Sequence, residues 1–226
     1  MADRLVKVDL LEEAAKVVQQ QVTFRLRAEQ RAESAAKLAI IYLLDKKPDE
    51  ALKTLRESDW PNLSPKLKED RRHLEGRALS DLTRYDEALK LLEGDGSRKA
   101  DELRADIYWT MRNWLKTAEA LERLLAPRVG NFERLSPIER NQVMRLTVAY
   151  TLADDITAVK RTRQRFGDRM GGPPEGEAFV ALTVDVDRKS TDFRSLAGAV
   201  ANLVSLEAFL TSYKDKLIKG GLSAYN

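Results

Sequence analysis

The chain has 226 residues, 43% of them hydrophobic and 33% charged, with a net charge of +3. That length suits one large domain, two small ones or a stack of repeats, and the composition is that of a helix-rich soluble protein. Lysine plus arginine (39) barely exceeds aspartate plus glutamate (36), which does not by itself argue for nucleic acid, and the lack of cysteine excludes disulfides, thiolate zinc sites and cysteine nucleophiles. The opening run M-A-D-R-L-V-K-V-D has no apolar core, so no signal peptide is expected. No apolar run approaches the roughly 18 residues a membrane span needs. Such a start also suits a piece of a longer protein, and the compartment stays unassigned.

Helical spacing begins at Asp9, a candidate N-cap, and continues through Leu10, Ala14, Val17, Val18, Val22 and Leu26 to about Ala28. A stronger helix is expected from Glu33 to Asp45, and Pro48 opens the next, which ends at Ser58-Asp59-Trp60-Pro61. Ser64-Pro65 starts a helix that turns at Thr83–Arg84 into a second, closed by Gly94-Asp95-Gly96. Ser97 caps a helix to about Met111, Arg112-Asn113 turns the chain, and Trp114 to Ala126 forms the partner helix. Ser136-Pro137-Ile138-Glu139 reads as a capping box, followed by helix to Leu152, a turn at Asp154-Asp155, and helix to about Phe166. Gly171-Gly172-Pro173-Pro174 is the clearest break. Beyond it, Glu175 to Val184 reads as a short helix, with Val180, Val184 and Val186 making a strand conceivable there. The stripe Leu196, Val200, Leu203, Leu210, Tyr213 and Leu217 marks a last helix from Asp192 to Leu217.

One spacing recurs. Small residues fall at Ala39, Gly76, Ala105 and Thr147. Three positions later come Tyr42, Leu79, Tyr108 and Tyr150, and nine later come Pro48, Tyr85, Trp114 and Ile156. Twelve later come Ala51, Ala88, Thr117 and Val159, and sixteen later come Leu55, Leu92, Leu121 and Arg163. Two antiparallel helices on a short turn need small side chains where their backbones cross. Large side chains then fill the layer between one pair and the next, since no pair buries its apolar face alone. This spacing resembles the tetratricopeptide repeat (TPR) over about 33–166. The crossing residues lie 37, 29 and 42 apart, where the family keeps about 34. A weaker resemblance connects the arrangement to the C-terminal part of large bacterial TPR-containing proteins. The resemblance implies an all-α, right-handed TPR-like solenoid: a flanking helix over 1–32, about four helix pairs over 33–169, and a linker with capping helices over 170–226.

Chemistry for catalysis is sparse, and no enzyme is expected. His73 is the only histidine, and nucleotide-binding glycine motifs and H-E-x-x-H are absent. Gly171-Gly172 precedes two prolines, which lack amide donors, and so reads as a linker. Asp185, Asp187 and Asp192 have the flavour of a calcium loop without its central glycine or terminal glutamate, and read as a solvated loop. No metal or other cofactor is expected. The run Lys160, Arg161, Arg163, Arg165, Arg169 has only Phe166 as a nearby aromatic and reads as a solvated helix face, so no nucleic acid is expected.

The TPR resemblance implies a concave groove lined by the first helix of each pair. Its inward positions are Ala36, Ile40 and Leu43, then His73, Arg77 and Ser80, then Glu102, Asp106 and Trp109, then Met144, Val148 and Thr151. Such a groove is apolar at one end and charged in the middle, and it lacks the regular Lys/Asn/Arg clamp of chaperone-binding TPRs. Arg77 and Trp109 lead as binding residues, because hot spots favour arginine and tryptophan. The expected function is therefore a non-catalytic scaffold that holds a peptide or helix of a protein partner. The alternative is a structural module of a longer protein that self-associates through the helix over 192–217.

Overall fold

A computed structural model describes residues 5–6, 10–24, 28–131, 133–171 and 175–183. Among the described residues the chain is all-α, with ten helices and no strand. They are α1 (Leu11–Phe24), α2 (Ala28–Leu44), α3 (Pro48–Glu57), α4 (Pro65–Asp81), α5 (Tyr85–Leu91), α6 (Arg98–Thr110), α7 (Trp114–Leu125), α8 (Pro137–Leu152), α9 (Ile156–Phe166) and α10 (Glu175–Thr183). The expected ends of the later helices lie within a residue or two of these. The second helix begins five residues earlier than expected, because Glu29 to Arg31 are good helix formers that need no buried face. The described part of the valine-rich stretch after the Gly-Pro break is helix. The expected helix over 192–217 and the acidic residues Asp185, Asp187 and Asp192 lie outside the described residues.

The recurring spacing corresponds to one turn used four times. Seven positions after each crossing residue stands a non-glycine residue in the left-handed region: Lys46 (φ 55°), Thr83 (60°), Arg112 (56°) and Asp154 (60°). The amide after each, at Lys47, Arg84, Asn113 and Asp155, donates back to the carbonyl of Tyr42, Leu79, Tyr108 or Tyr150 at 2.8, 2.8, 2.8 and 3.0 Å. The left-handed residue's own amide donates to Leu43, Ser80, Trp109 or Thr151 at 3.2, 2.9, 3.0 and 3.2 Å. These two bonds make a Schellman cap, which satisfies carbonyls the helix end leaves unpaired. The next helix starts at once, with Ala51, Ala88, Thr117 and Val159 donating to the carbonyls of Lys47, Arg84, Asn113 and Asp155. In the third and fourth copies the side chains of Asn113 and Asp155 also cap, accepting from Lys116 and Ala158. The four pairs α2–α3, α4–α5, α6–α7 and α8–α9 are therefore helical hairpins of one design.

Packing at the crossings follows from the small residues. Ala39, Ala105 and Thr147 are fully buried, as are Ala51, Ala88, Thr117 and Val159 across from them in register. The leucines sixteen on, Leu55, Leu92 and Leu121, are buried too, whereas Arg163 of the fourth copy is exposed.

The described residues fall into two compact units, one ending at Asp95 and the other beginning at Gly96. In the first, α2 packs against α1, α3 and α4. Arg71 on α4 is its central polar tie. The buried guanidinium donates to the carbonyl of Ala32 on α2 at 2.7 Å, to the carbonyl of Leu55 on α3, and to the Ser58 hydroxyl at 3.2 Å. Burial pulls its pKa below the ordinary guanidinium range, with Asp59 and Glu75 pulling it back from longer range. In the second unit α8 is the central helix, packed by α7, α9 and α10, and Gln142 to Tyr150 are buried without interruption. Its core joins Leu121, Leu125, Leu146 and Phe166 with Phe179 and Leu182 of α10. Ser136 and Glu139 form the expected capping box at 3.3 and 2.7 Å, and Ser97 caps α6 by accepting from Ala100.

Candidate partner-binding face

The residues expected to face a groove separate by depth. On α2, Ile40 and Leu43 are 1% and 3% exposed and belong to the core of the first unit, where three other helices crowd α2. Ala36 and Ile40 border a small crevice with Leu67 and Leu74 of α4, and the Glu33–Lys37 ion pair (2.7 Å) flanks it. On α4, His73 is buried, with Nε2 2.9 Å from Asp95 Oδ2, and Arg72 Nη2 reaches the same oxygen at 2.6 Å. The histidine thus anchors the Gly94-Asp95-Gly96 loop. Arg77 is half-buried and pairs with Asp81 one turn on, at 3.0 Å.

In the second unit the expected residues meet a partner that the spacing did not reveal. Trp109 on α6 is 6% exposed, and its ring meets Trp114 edge-on with centroids 5.6 Å apart. The Arg145 guanidinium of α8 lies over the Trp109 ring, 5.0 Å from its centroid, and Nη2 is 2.8 Å from Asp106 Oδ1. Arg145 is buried, so the carboxylate and the ring face together offset the cost of desolvating its charge. About two turns before Asp106, Arg98 pairs with Glu102 at 3.2 Å and also donates to Gln142 of α8 at 3.3 Å. Arg98, Glu102 and Asp106 on α6, with Gln142 and Arg145 on α8, therefore form a ladder of alternating charge and amide that links the first helices of hairpins three and four. Glu102 and Asp106 keep 37% and 28% of their side chains open to solvent. Met144 is buried in the core, as is Val148, so α8 contributes to the face through Gln142 and Arg145.

Arg145 stands two before the crossing residue, a register position that holds Leu74 and Leu103 in the second and third copies and Lys37 in the first. Against the two leucine copies, a charge here is the signal that identifies it.

A second network lies behind α8. Tyr150 donates its hydroxyl to Glu122 Oε1 at 3.1 Å, and Arg165 binds both oxygens of that carboxylate at 3.4 and 3.2 Å. Burial first, and the Glu122 charge second, push the Tyr150 phenol up to about 12. Three members of the basic run make such ties: Arg163 and Arg165 on α9, and Arg169 just beyond it. Arg169 donates to the carbonyls of Arg128 (3.2 Å), Asn131 and Arg165 (2.7 Å), and Arg163 reaches the Thr183 carbonyl at 3.5 Å. Arg161 and Lys160 are exposed.

No described helix is long and apolar enough to cross a membrane. Compared with known proteins, the chain matches no family model, no curated protein and no solved structure.

Proposed function

We propose that the chain is a TPR-like helical repeat protein that acts without catalysis, as a scaffold holding a peptide or helix of a protein partner against the face built by α6 and α8. One observation carries this reading. Ion pairs join α6 to itself and to α8, with partly open carboxylates at Glu102 and Asp106, and the Arg145 that pairs with Asp106 also lies over the Trp109 ring. Tryptophan and arginine are the residues enriched at binding hot spots, and here the two are held together beside open carboxylates. The partner is a protein segment; nucleic acid and cofactors play no part in the proposal.

The choice of variant follows from depth. Trp109 and Arg145 are buried and interlocked, so replacing either confuses folding with binding. Glu102 is open and touches Arg98, so Glu102→Lys reverses the charge of the face without opening the core. Peptides selected by display on the wild-type chain should lose about tenfold or more in affinity for Glu102→Lys. They should bind Lys53→Glu normally, since Lys53 is 72% exposed on α3. Equal binding by wild type and a folded Glu102→Lys would remove this face as the site.

A further inference from the structure

A cleft of about 330 Å³ opens between α3 and α4 in the first unit, and none of the expected groove residues lines it. Its volume is at the lower end of the range for specific ligand sites, roughly 300–1,000 Å³. Its apolar part is Leu55, Leu63 and Leu91, the first two fully buried. Four cations and two carboxylates complete the lining, and their pairing decides what the cleft attracts.

Two of the cations are already neutralised. Arg56 Nη2 is 2.9 Å from Glu75 Oε1, and Arg72 Nη2 is 2.6 Å from Asp95 Oδ2. Lys68 is exposed and makes no ion pair among the described residues. Arg71 is buried, and the acceptors of its guanidinium are two carbonyls and a hydroxyl, all neutral. Buried charges are ordinarily in direct contact with an opposite charge, whereas Asp59 and Glu75 act on this one only from longer range. Only Asp59 at the rim remains to set against Lys68 and Arg71. The cleft therefore carries surplus positive charge over low-dielectric leucine walls, an arrangement that concentrates the field on an incoming anion.

We propose that this cleft docks an acidic stretch of a partner protein, with a carboxylate side chain beside Lys68 and a neighbouring aliphatic side chain over Leu55, Leu63 and Leu91. A bare phosphate fits less well for two reasons. The guanidinium forks of Arg56, Arg71 and Arg72 are engaged within the protein, so bidentate oxyanion capture is not on offer. A small anion would also leave the part-exposed Leu91 wet, whereas an aliphatic side chain covers it. The cleft is a second recognition site, independent of the α6–α8 face.

The test uses the full chain and fluorescein-labelled short peptides with Glu-Leu-Glu, Gln-Leu-Gln or Lys-Leu-Lys at their centres, read by anisotropy. The acidic peptide should bind about tenfold or more tighter than the neutral one, and the gap should shrink as ionic strength rises from about 0.01 M to about 0.15 M. Lys68→Glu should erase the preference, and Lys68→Met should reduce it, with thermal unfolding unchanged because the side chain is exposed. Lys53→Glu, outside the cleft, and Glu102→Lys, on α6, should both leave it intact, which separates failure of this site from failure of the α6–α8 reading. No preference for the acidic peptide would overturn the proposal, as would equal losses in Lys68→Glu and Lys53→Glu, which would reflect net charge alone. Displacement of the peptide by inorganic phosphate beyond that caused by chloride at equal ionic strength would assign the cleft to a free anion and overturn the peptide.

Discussion

Replacing Thr83 with glycine should stabilise the protein. Thr83 sits at φ 60° in the turn between α4 and α5, and its side chain is exposed. The left-handed conformation costs an L-residue about 1–2 kcal/mol, and β-branching makes threonine one of the poorer choices for it. Glycine removes that cost but adds unfolded-chain entropy of about 0.5–1 kcal/mol. The net gain is about 0.5–1 kcal/mol, and for a unit of this size it corresponds to roughly 3–6 °C in Tm. Urea unfolding followed by circular dichroism should show a higher midpoint at unchanged slope. Two controls isolate the cause. Thr83→Ala keeps the Cβ clash and should gain little, and Asp154→Gly should gain less than Thr83→Gly because aspartate tolerates this region better. A Thr83→Gly midpoint equal to or below the wild type would refute the assignment of strain to this turn.

Arg71→Met should cost about 3 kcal/mol in urea unfolding, because it removes the buried bonds that tie α4 to carbonyls of two neighbouring helices; Arg71→Lys should not rescue it, since one ammonium cannot serve acceptors a guanidinium fork reaches together. Ser136→Ala should cost about 1 kcal/mol by opening the capping box of α8, and a variant as stable as the wild type would show that the cap contributes nothing. Tyr150 has its pKa raised by burial and by Glu122, so its stabilising effect is whole below pH about 10 and is lost as the pH climbs to about 12. Ultraviolet titration of wild type against Tyr150→Phe should show this phenol ionising last among the tyrosines, and ionisation at the ordinary pH would contradict the buried network.

The helical hairpins were legible because their determinants are local. Small residues, turn polars and capping serines act within a few positions of themselves, and Ser97, Asn113, Ser136 and Asp155 appear in the structure as caps. The candidate site was less legible because exposure is decided by distant chain. Trp109 carries the composition of a binding anchor, yet Arg145, thirty-six residues later, covers its ring and takes the carboxylate beside it. Ile40 and Leu43 occupy inward register positions, but α2 is packed by three other helices and these side chains join the core. The basic run over 160–169 reads in sequence as a solvated face, whereas in the structure Arg163, Arg165 and Arg169 bind carbonyls or Glu122. Periodicity assigns a residue to a side of its own helix, and only packing determines what lies opposite.

Arg71 also bears on how the first unit opens. Its bonds join α4 to α2 and α3, so neither α2 nor α3 can part from α4 without breaking the bonds of a buried charge. Local fluctuations that break these bonds are therefore expensive, and the three helices share one opening event, a single foldon. Their most protected amides should exchange with deuterium at a common free energy of opening, while the amides of α5, which Arg71 does not touch, are free to exchange from a shallower one. The same residue that leaves the α3–α4 cleft short of negative charge thus sets the cooperativity of the helices around it.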